Sequence, residues 1–207
     1  MTDAEIKESH HSMVETLVKP GEDILNGTSA NLVHMLHMAL GISGEASEIY
    51  DMFRHDRDPD LKNDFNNELA LELGDIAFYA QGLMIPFHWT SAQVCTPTFD
   101  AEQVSRLQGQ ADMYGTAPKD LAPSELVRAA GTITEYIKKH WVYNKPLNTE
   151  DLRQALGLIV FLIRIIANGF GYSYADILRM NMEKLSKRYD GFSYSDKAAI
   201  ERKDATS

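Results

Sequence analysis

The chain has 207 residues, and its 30 acidic and 20 basic side chains give a formal net charge of −10. This charge excludes a general nucleic-acid coat, because the field of the protein would repel a sheath of phosphates; a local basic patch could still hold one small anion. The hydrophobic fraction of 44 % and the charged fraction of 24 % are typical of a soluble globular protein. The single cysteine, Cys95, cannot form an internal disulfide. We therefore expect a reducing cytoplasm, that of a host cell if the protein is viral.

The sequence predicts no membrane partner. Its N-terminus is acidic and lacks the apolar core of an export signal. The longest stretch without Asp, Glu, Lys or Arg runs from Ile76 to Phe99, and only its first half is strongly apolar. That half is too short to cross a bilayer.

Helical periodicity dominates the chain. A first helix is expected after the hydroxyl caps of residues 28–31, with one buried apolar face. The apolar positions of that face are Leu32, Leu36, Leu40, Ile42, Ile49 and Phe53. Further helices are predicted over 62–84 (stopped by Pro86), 124–143, 149–167 and 174–189 (capped by Ser173).

The rest of the chain contains no alternating strand pattern of useful length. Residues 90–122 are rich in proline and glycine and predict an irregular connection with one helix near 101–110. We predict an all-α helical bundle in a single domain over 1–194, with a polar tail at 195–207.

The sequence also contains an internal repeat. Residues 43–48 align with 130–135, and residues 73–79 align with 156–162. The alignment predicts a duplicated helical hairpin, with copies at about 30–85 and 124–171; chance similarity between helical hairpins is the alternative. The first copy has Glu45, Glu48, Glu72 and Asp75 where the second has Thr132, Glu135, Ala155 and Leu158. Only the first copy is expected to bind a metal.

The four carboxylates of the first copy form two pairs at helical spacing. Residues three or four apart share a helix face, so Glu45 lies beside Glu48, and Glu72 lies beside Asp75. Like charges at this spacing repel each other, and apolar neighbours increase the cost. A hard cation offsets that repulsion, so we expect Mg²⁺, with Mn²⁺ as a substitute. A solvated acidic face is the alternative.

These motifs resemble a known family. The segment His37–Glu48, followed by Glu72-Leu73-Gly74-Asp75, is similar to the ExxE and ExxD motifs of the all-α, MazG-like nucleoside triphosphate pyrophosphohydrolases, which are related to dimeric dUTPases and dCTP pyrophosphatases. The spacer is residues 49–71, and Asn181–Tyr189 resembles the closing helix of the family, placed here at 173–190. The second hairpin and the 90–122 insertion depart from the short members.

The resemblance implies hydrolysis of a (deoxy)nucleoside triphosphate to the monophosphate and pyrophosphate, for control of the nucleotide pool. The four carboxylates would hold Mg²⁺ and carry the catalysis. The substrate-binding candidates are Asn181, Lys184, Arg188, Tyr79, His37 and Lys139. Core packing of Tyr79 and a surface role for the basic residues are the alternatives. The short members also resemble obligate homodimers, so a homodimer or homotetramer is expected.

Two other functional classes are open at this stage. A di-iron carboxylate bundle needs inward Glu-x-x-His pairs, and the only such spacing joins Glu8 to His11 in the polar N-terminal segment. A non-enzymatic helical nucleotide- or metal-binding or assembly module would carry the same acidic cluster without turnover.

Overall fold

The computed structural model describes residues 1–54 and 62–201, which form α-helices and short 3-10 turns with no β-strand. The all-α prediction is confirmed. Parts of the spacer (55–61) and of the polar tail (202–207) lie outside the described residues. The helices are α1 (Asp3–Leu17), α2 (Gly21–Leu25), α3 (Ala30–Arg54), α4 (Lys62–Met84), α5 (Ser91–Val94), α6 (Pro97–Tyr114), α7 (Pro118–Tyr143), α8 (Thr149–Gly169), α9 (Tyr174–Arg188) and α10 (Asp196–Glu201).

Several helix ends follow the expected capping chemistry. The hydroxyl of Ser29 accepts from the backbone N–H of Leu32 at 3.2 Å at the start of α3. α4 ends at Met84, and Pro86 lies in the 3-10 turn that follows, because proline cannot supply the N–H of a continuing helix. Ser173 caps α9 and forms a capping box with Asp176.

The connection over 90–122 is mostly helical, which corrects the expectation of an irregular segment. The helix expected near 101–110 runs from Pro97 to Tyr114. Thr96 caps it, Pro97 occupies its first position, and Gly109 lies inside it with no heavy atom near its Cβ position. Interior glycine costs only about 1 kcal/mol relative to alanine, which packing of Leu107 into the core offsets.

The start of α7 is a second correction. We expected this helix to open at Pro123-Ser124, but it begins at Pro118 and contains Pro123. Pro118 suits a first helical position. The extra turn persists across Pro123 because Ala122 and Leu126 are fully buried, so tertiary packing outweighs the missing hydrogen bond.

The bundle is organised around α3, which packs against both α4 and α7, while α8 packs against α7 and α4. The predicted apolar face of α8 is buried as expected, and its members are Leu156, Ile159, Val160, Leu162, Ile163 and Ile166.

The prediction for Leu40 is wrong, because this side chain is 54 % exposed. The buried stripe of α3 runs through Met35, Ala39 and Ile42 instead, and Leu40 lies to one side of it.

The two ends of the chain add helices that the sequence interpretation did not assign. None of the residues of α1 is buried, although a Thr2–Glu5 capping box starts the helix. The tail at 195–207, predicted to be polar, contains α10. Within the described ranges, α8 is long and apolar enough to cross a membrane by length and composition, but most of it is buried inside the bundle, as in the core helix of a soluble protein.

Candidate metal centre

The helices α3 and α4 approach closely, and a glycine allows this. A Cβ at Gly41 would lie 2.3 Å from the ring of Tyr79, so a side chain at this position would collide with the ring. The contact joins α3 to α4 one turn from the acidic residues of each helix. It therefore brings the ExxE and ExxD segments of the two helices side by side.

Three of the four predicted carboxylates converge. One oxygen each from Glu45, Glu72 and Asp75 lies within 4.8 Å of the others, and all three residues are half-buried. Glu45 comes from α3, and the other two come from successive turns of α4. Hereafter these three residues are called the acidic trio.

The electrostatics of the acidic trio show the cost of this convergence. Burial, a hydrogen bond from its carboxyl group to Glu72, and the charge of Asp75 raise the pKa of Glu45 to about 8. Burial also raises the pKa of Glu72, although the bond from Glu45 and the charge of Lys184 act in the opposite direction. Without a cation, the trio therefore holds a proton at neutral pH.

Helix α9 contributes two polar side chains to Asp75. Asn181 donates from Nδ2 to Oδ1 at 2.9 Å, and the Nζ of Lys184 lies 2.5 Å from Oδ2. Both partners are well shielded, with Asn181 6 % exposed and the Lys184 side chain 10 % exposed. These contacts fix the orientation of the Asp75 carboxylate.

A glycine also governs this second approach. A Cβ at Gly74 would lie 2.8 Å from the Cβ of Asn181, a distance that real Cβ atoms essentially never show. Gly74 therefore permits α9 to lie against α4 at the residue before Asp75. The sequence interpretation used this glycine only as a marker of the repeat.

Glu48, the fourth predicted ligand, lies outside the acidic trio. It is exposed and lines an adjacent cleft of about 440 Å³ together with Glu68, Glu72, Asp51 and Met52. Its charge is close enough to raise the pKa of Glu45 and of Glu72. Asp51 was missed, although its position one turn after Glu48 was a usable signal.

Tyr79 lies beside the acidic trio, and Arg188 and His37 lie near Tyr79. Burial and the charges of Glu45 and Asp75 raise the pKa of Tyr79, while the charge of Arg188 lowers it, so these groups are neighbours. His37 is exposed, and its ring packs edge-on to Tyr79 with 6.1 Å between centroids.

Lys139 has a different environment. It is exposed on α7, where its Nζ lies 3.3 Å from a Glu135 oxygen that belongs to the same helix. Lys138 contacts the same glutamate. The described contacts therefore place Lys139 in a local surface ion pair and do not bring it to the acidic trio.

The donor set defines what the site can bind. Three carboxylates face one another, and the ammonium group of Lys184 balances only part of their charge. Hard divalent cations prefer oxygen ligands and tolerate several carboxylates with water. The residues present therefore fit Mg²⁺ or Mn²⁺ and lack the nitrogen and sulfur ligands of a typical zinc site.

Comparison with known proteins gives no family assignment, because no family model, no curated protein and no solved structure matches the chain. The function of the site is therefore inferred from its geometry and charge alone.

Proposed function

We propose that the chain is a Mg²⁺-dependent pyrophosphohydrolase that converts a (deoxy)nucleoside triphosphate to the monophosphate and pyrophosphate, and so controls a nucleotide pool. The observation that carries the proposal is the acidic trio, with its oxygens within 4.8 Å of one another. Two basic side chains of α9 support it, because Lys184 pairs with Asp75 and Arg188 lies near Tyr79.

The fit of the cation rests on the protonation of the acidic trio. The carboxyl groups of Glu45 and Glu72 can hydrogen-bond to each other only when one of them is protonated. Glu45 is that residue, because its pKa is raised to about 8. Glu45, Glu72 and Asp75 would each offer one oxygen to hold a divalent ion in place of that proton. When bound, such an ion supplies charge neutralisation for phosphate oxygens and lowers the pKa of a coordinated water.

The basic side chains of α9 suit the phosphates of the substrate. Lys184 contacts Asp75 in the described geometry, and its ammonium group is suited to pair with a phosphate oxygen of the substrate. Arg188, one turn further along the helix, offers a guanidinium fork that matches phosphate geometry. Tyr79 feels the charges of Arg188 and of the acidic trio, so its phenol lies near both.

The exposed carboxylate of Glu48 is suited to proton transfer. Glu48 lines the cleft beside Glu72 and is accessible to water, so we assign it to accept a proton from the attacking water. The oxygen of that water bonds to the α-phosphorus, and the bond from this phosphorus to the α–β bridging oxygen breaks. Pyrophosphate leaves with the electron pair of that bond.

The test is a panel of natural and modified nucleoside triphosphates, scored for pyrophosphate release with Mg²⁺ and with EDTA. We expect at least one substrate, with turnover that EDTA abolishes. Glu48→Gln and Asp75→Asn are expected to retain less than a tenth of the wild-type kcat, a loss of more than about 1.4 kcal/mol in transition-state stabilisation.

The matched control is Glu135→Gln, because Glu135 is the residue of the second copy that aligns with Glu48. It forms surface ion pairs with Lys138 and Lys139, so its loss should leave turnover unchanged. Absence of turnover on the whole panel would favour a non-enzymatic binding module. Equal losses in the Glu48 and Glu135 variants would assign the effect to surface charge.

A further inference from the structure

The chain turns sharply directly after α9. Residues Asp190–Phe192 form a 3-10 turn, in which Gly191 has a φ of 58° and Phe192 has a φ of 55°. This left-handed region is ordinary for glycine but unfavourable for a bulky residue such as phenylalanine. The Phe192 side chain is mostly exposed, so burial of its ring does not offset the cost. The contacts of Phe192 itself therefore do not explain the turn.

The turn brings a second tyrosine back to the end of α9. Tyr189 caps the helix, and the ring of Tyr194 lies against its ring, with 5.7 Å between centroids and 36° between planes. The phenol of Tyr194 donates to Oδ1 of Asp196 at 2.8 Å. Hereafter Tyr189 and Tyr194 are called the tyrosine pair. Tyr194 is 71 % exposed, so these contacts orient a ring that is still largely open to solvent.

The tyrosine pair lies at the end of α9 that carries the basic side chains of the site. Lys184, whose ammonium group contacts Asp75, precedes Tyr189 by five residues, which is about 7.5 Å along a helix axis. Burial is the main cause of the raised pKa of Tyr79, and the charge of Tyr189 adds to it, so these two phenols are neighbours. A ligand with its phosphates on Lys184 and Arg188 therefore has the tyrosine pair beside it.

An exposed aromatic ring beside phosphate-binding groups suits a nucleobase. Every base has a flat π-face, and stacking on an aromatic side chain recognises that face without reading the edge of the base. The two rings of the tyrosine pair contact each other, so a base has room on the open side of Tyr194 and not between the rings. Such a contact would account for the turn, because strained backbone is concentrated at ligand-binding sites.

We propose that Tyr194 is the base-stacking residue of the substrate site, and that it makes the site prefer nucleotides to phosphate chains that lack a base. The inference rests on the proposed function, because it uses the placement of the substrate phosphates on Lys184 and Arg188. It also predicts that Tyr194 contributes similarly to the binding of different bases, since the ring contacts the face of the base and not its edge.

The test is equilibrium binding to the full chain in Mg²⁺. The ligands are inorganic tripolyphosphate and the α,β-imido analogues of the four common deoxynucleoside triphosphates, which resist cleavage at the proposed bond. We expect the wild type to bind the analogues more tightly than tripolyphosphate. Tyr194→Ala should weaken binding of the analogues at least about fivefold and leave binding of tripolyphosphate unchanged.

Two control variants separate the ring from other effects. Tyr194→Phe keeps the ring and loses the hydrogen bond to Asp196, so it should bind the analogues like the wild type. Tyr114→Ala removes a similarly exposed tyrosine at the end of α6, and it should also bind like the wild type.

A second measurement uses the wild-type chain alone. Hydrogen exchange should show protection of residues 190–196 by an analogue and none by tripolyphosphate. If Tyr194→Ala binds the analogues normally, or loses affinity for tripolyphosphate to the same extent, the stacking role is overturned and the proposed function is not. A wild-type chain that binds neither kind of ligand would contradict the proposed function and this inference together.

Discussion

A single methyl group at Gly74 should separate the acidic trio from α9. In Gly74→Ala the new Cβ would lie 2.8 Å from Cβ and 3.2 Å from Nδ2 of Asn181. Because Asn181 is buried on a packed helix, α9 has to move away from α4. The two contacts that orient Asp75, from Asn181 and Lys184, should then lengthen.

The magnitude follows from two opposing terms. Replacing glycine by alanine inside a helix stabilises it by about 1 kcal/mol, whereas overpacking a well-filled site costs about 1–3 kcal/mol. The control is Gly44→Ala on α3, where no heavy atom lies within 4 Å of the added Cβ. Gly44→Ala should therefore gain about 1 kcal/mol, and Gly74→Ala should be less stable than this control by about 1–3 kcal/mol.

Urea unfolding gives the free energy of unfolding of both variants, and Mn²⁺ titration gives the metal affinity. We expect Gly74→Ala to bind Mn²⁺ more weakly than wild type and Gly44→Ala to bind it equally well. A Gly74→Ala protein that is as stable as the control and binds Mn²⁺ normally would refute the close packing of α4 against α9.

Three further predictions concern pH, the substrate and assembly. The folded, metal-free protein keeps a proton on Glu45 that the unfolded chain loses above its ordinary pKa of 4.5, so its melting temperature in EDTA should fall between pH 5 and pH 8; Glu45→Gln should flatten this slope, and an unchanged slope would contradict the assignment. Lys184→Ala should raise the KM for a triphosphate more than the inhibition constant of the monophosphate product, because the loss scales with ligand charge, and equal losses would indicate a structural role. Val33 and Leu40 of α3, Phe78 of α4 and Ile85 of the following 3-10 turn are exposed apolar side chains, so light scattering should show a homodimer or homotetramer that Leu40→Glu weakens; a wild-type monomer at micromolar concentration would contradict this.

Local sequence signals predicted the helices around the site because each of those signals acts within one turn. Ser29 and Ser173 set helix starts by accepting hydrogen bonds from nearby backbone N–H groups. Pro86 ends α4 because it has no backbone N–H. Pro123 was misinterpreted because its effect depends on distant packing. A proline inside α7 is tolerated only because its neighbours are fully buried.

The candidate site shows the same difference between interactions within one helix turn and packing between distant residues. Helical spacing placed Glu72 beside Asp75 on one face, but it could not measure how far Glu48 lies from them. That distance depends on the rotation of α3 against α4, which the contact between Gly41 and Tyr79 sets. Lys139 was assigned through the family resemblance, and the local pairing with Glu135 on its own helix was not considered.

Hydrolysis between the α- and β-phosphates at the acidic trio is tested most directly by the position of an oxygen label in the products. The best substrate from the nucleotide panel is hydrolysed with Mg²⁺ in ¹⁸O-labelled water, and both products are analysed by mass spectrometry. Attack on the α-phosphorus predicts one ¹⁸O atom in the monophosphate and none in the pyrophosphate. Label in the pyrophosphate, release of orthophosphate, or turnover that survives Asp75→Asn would contradict the account.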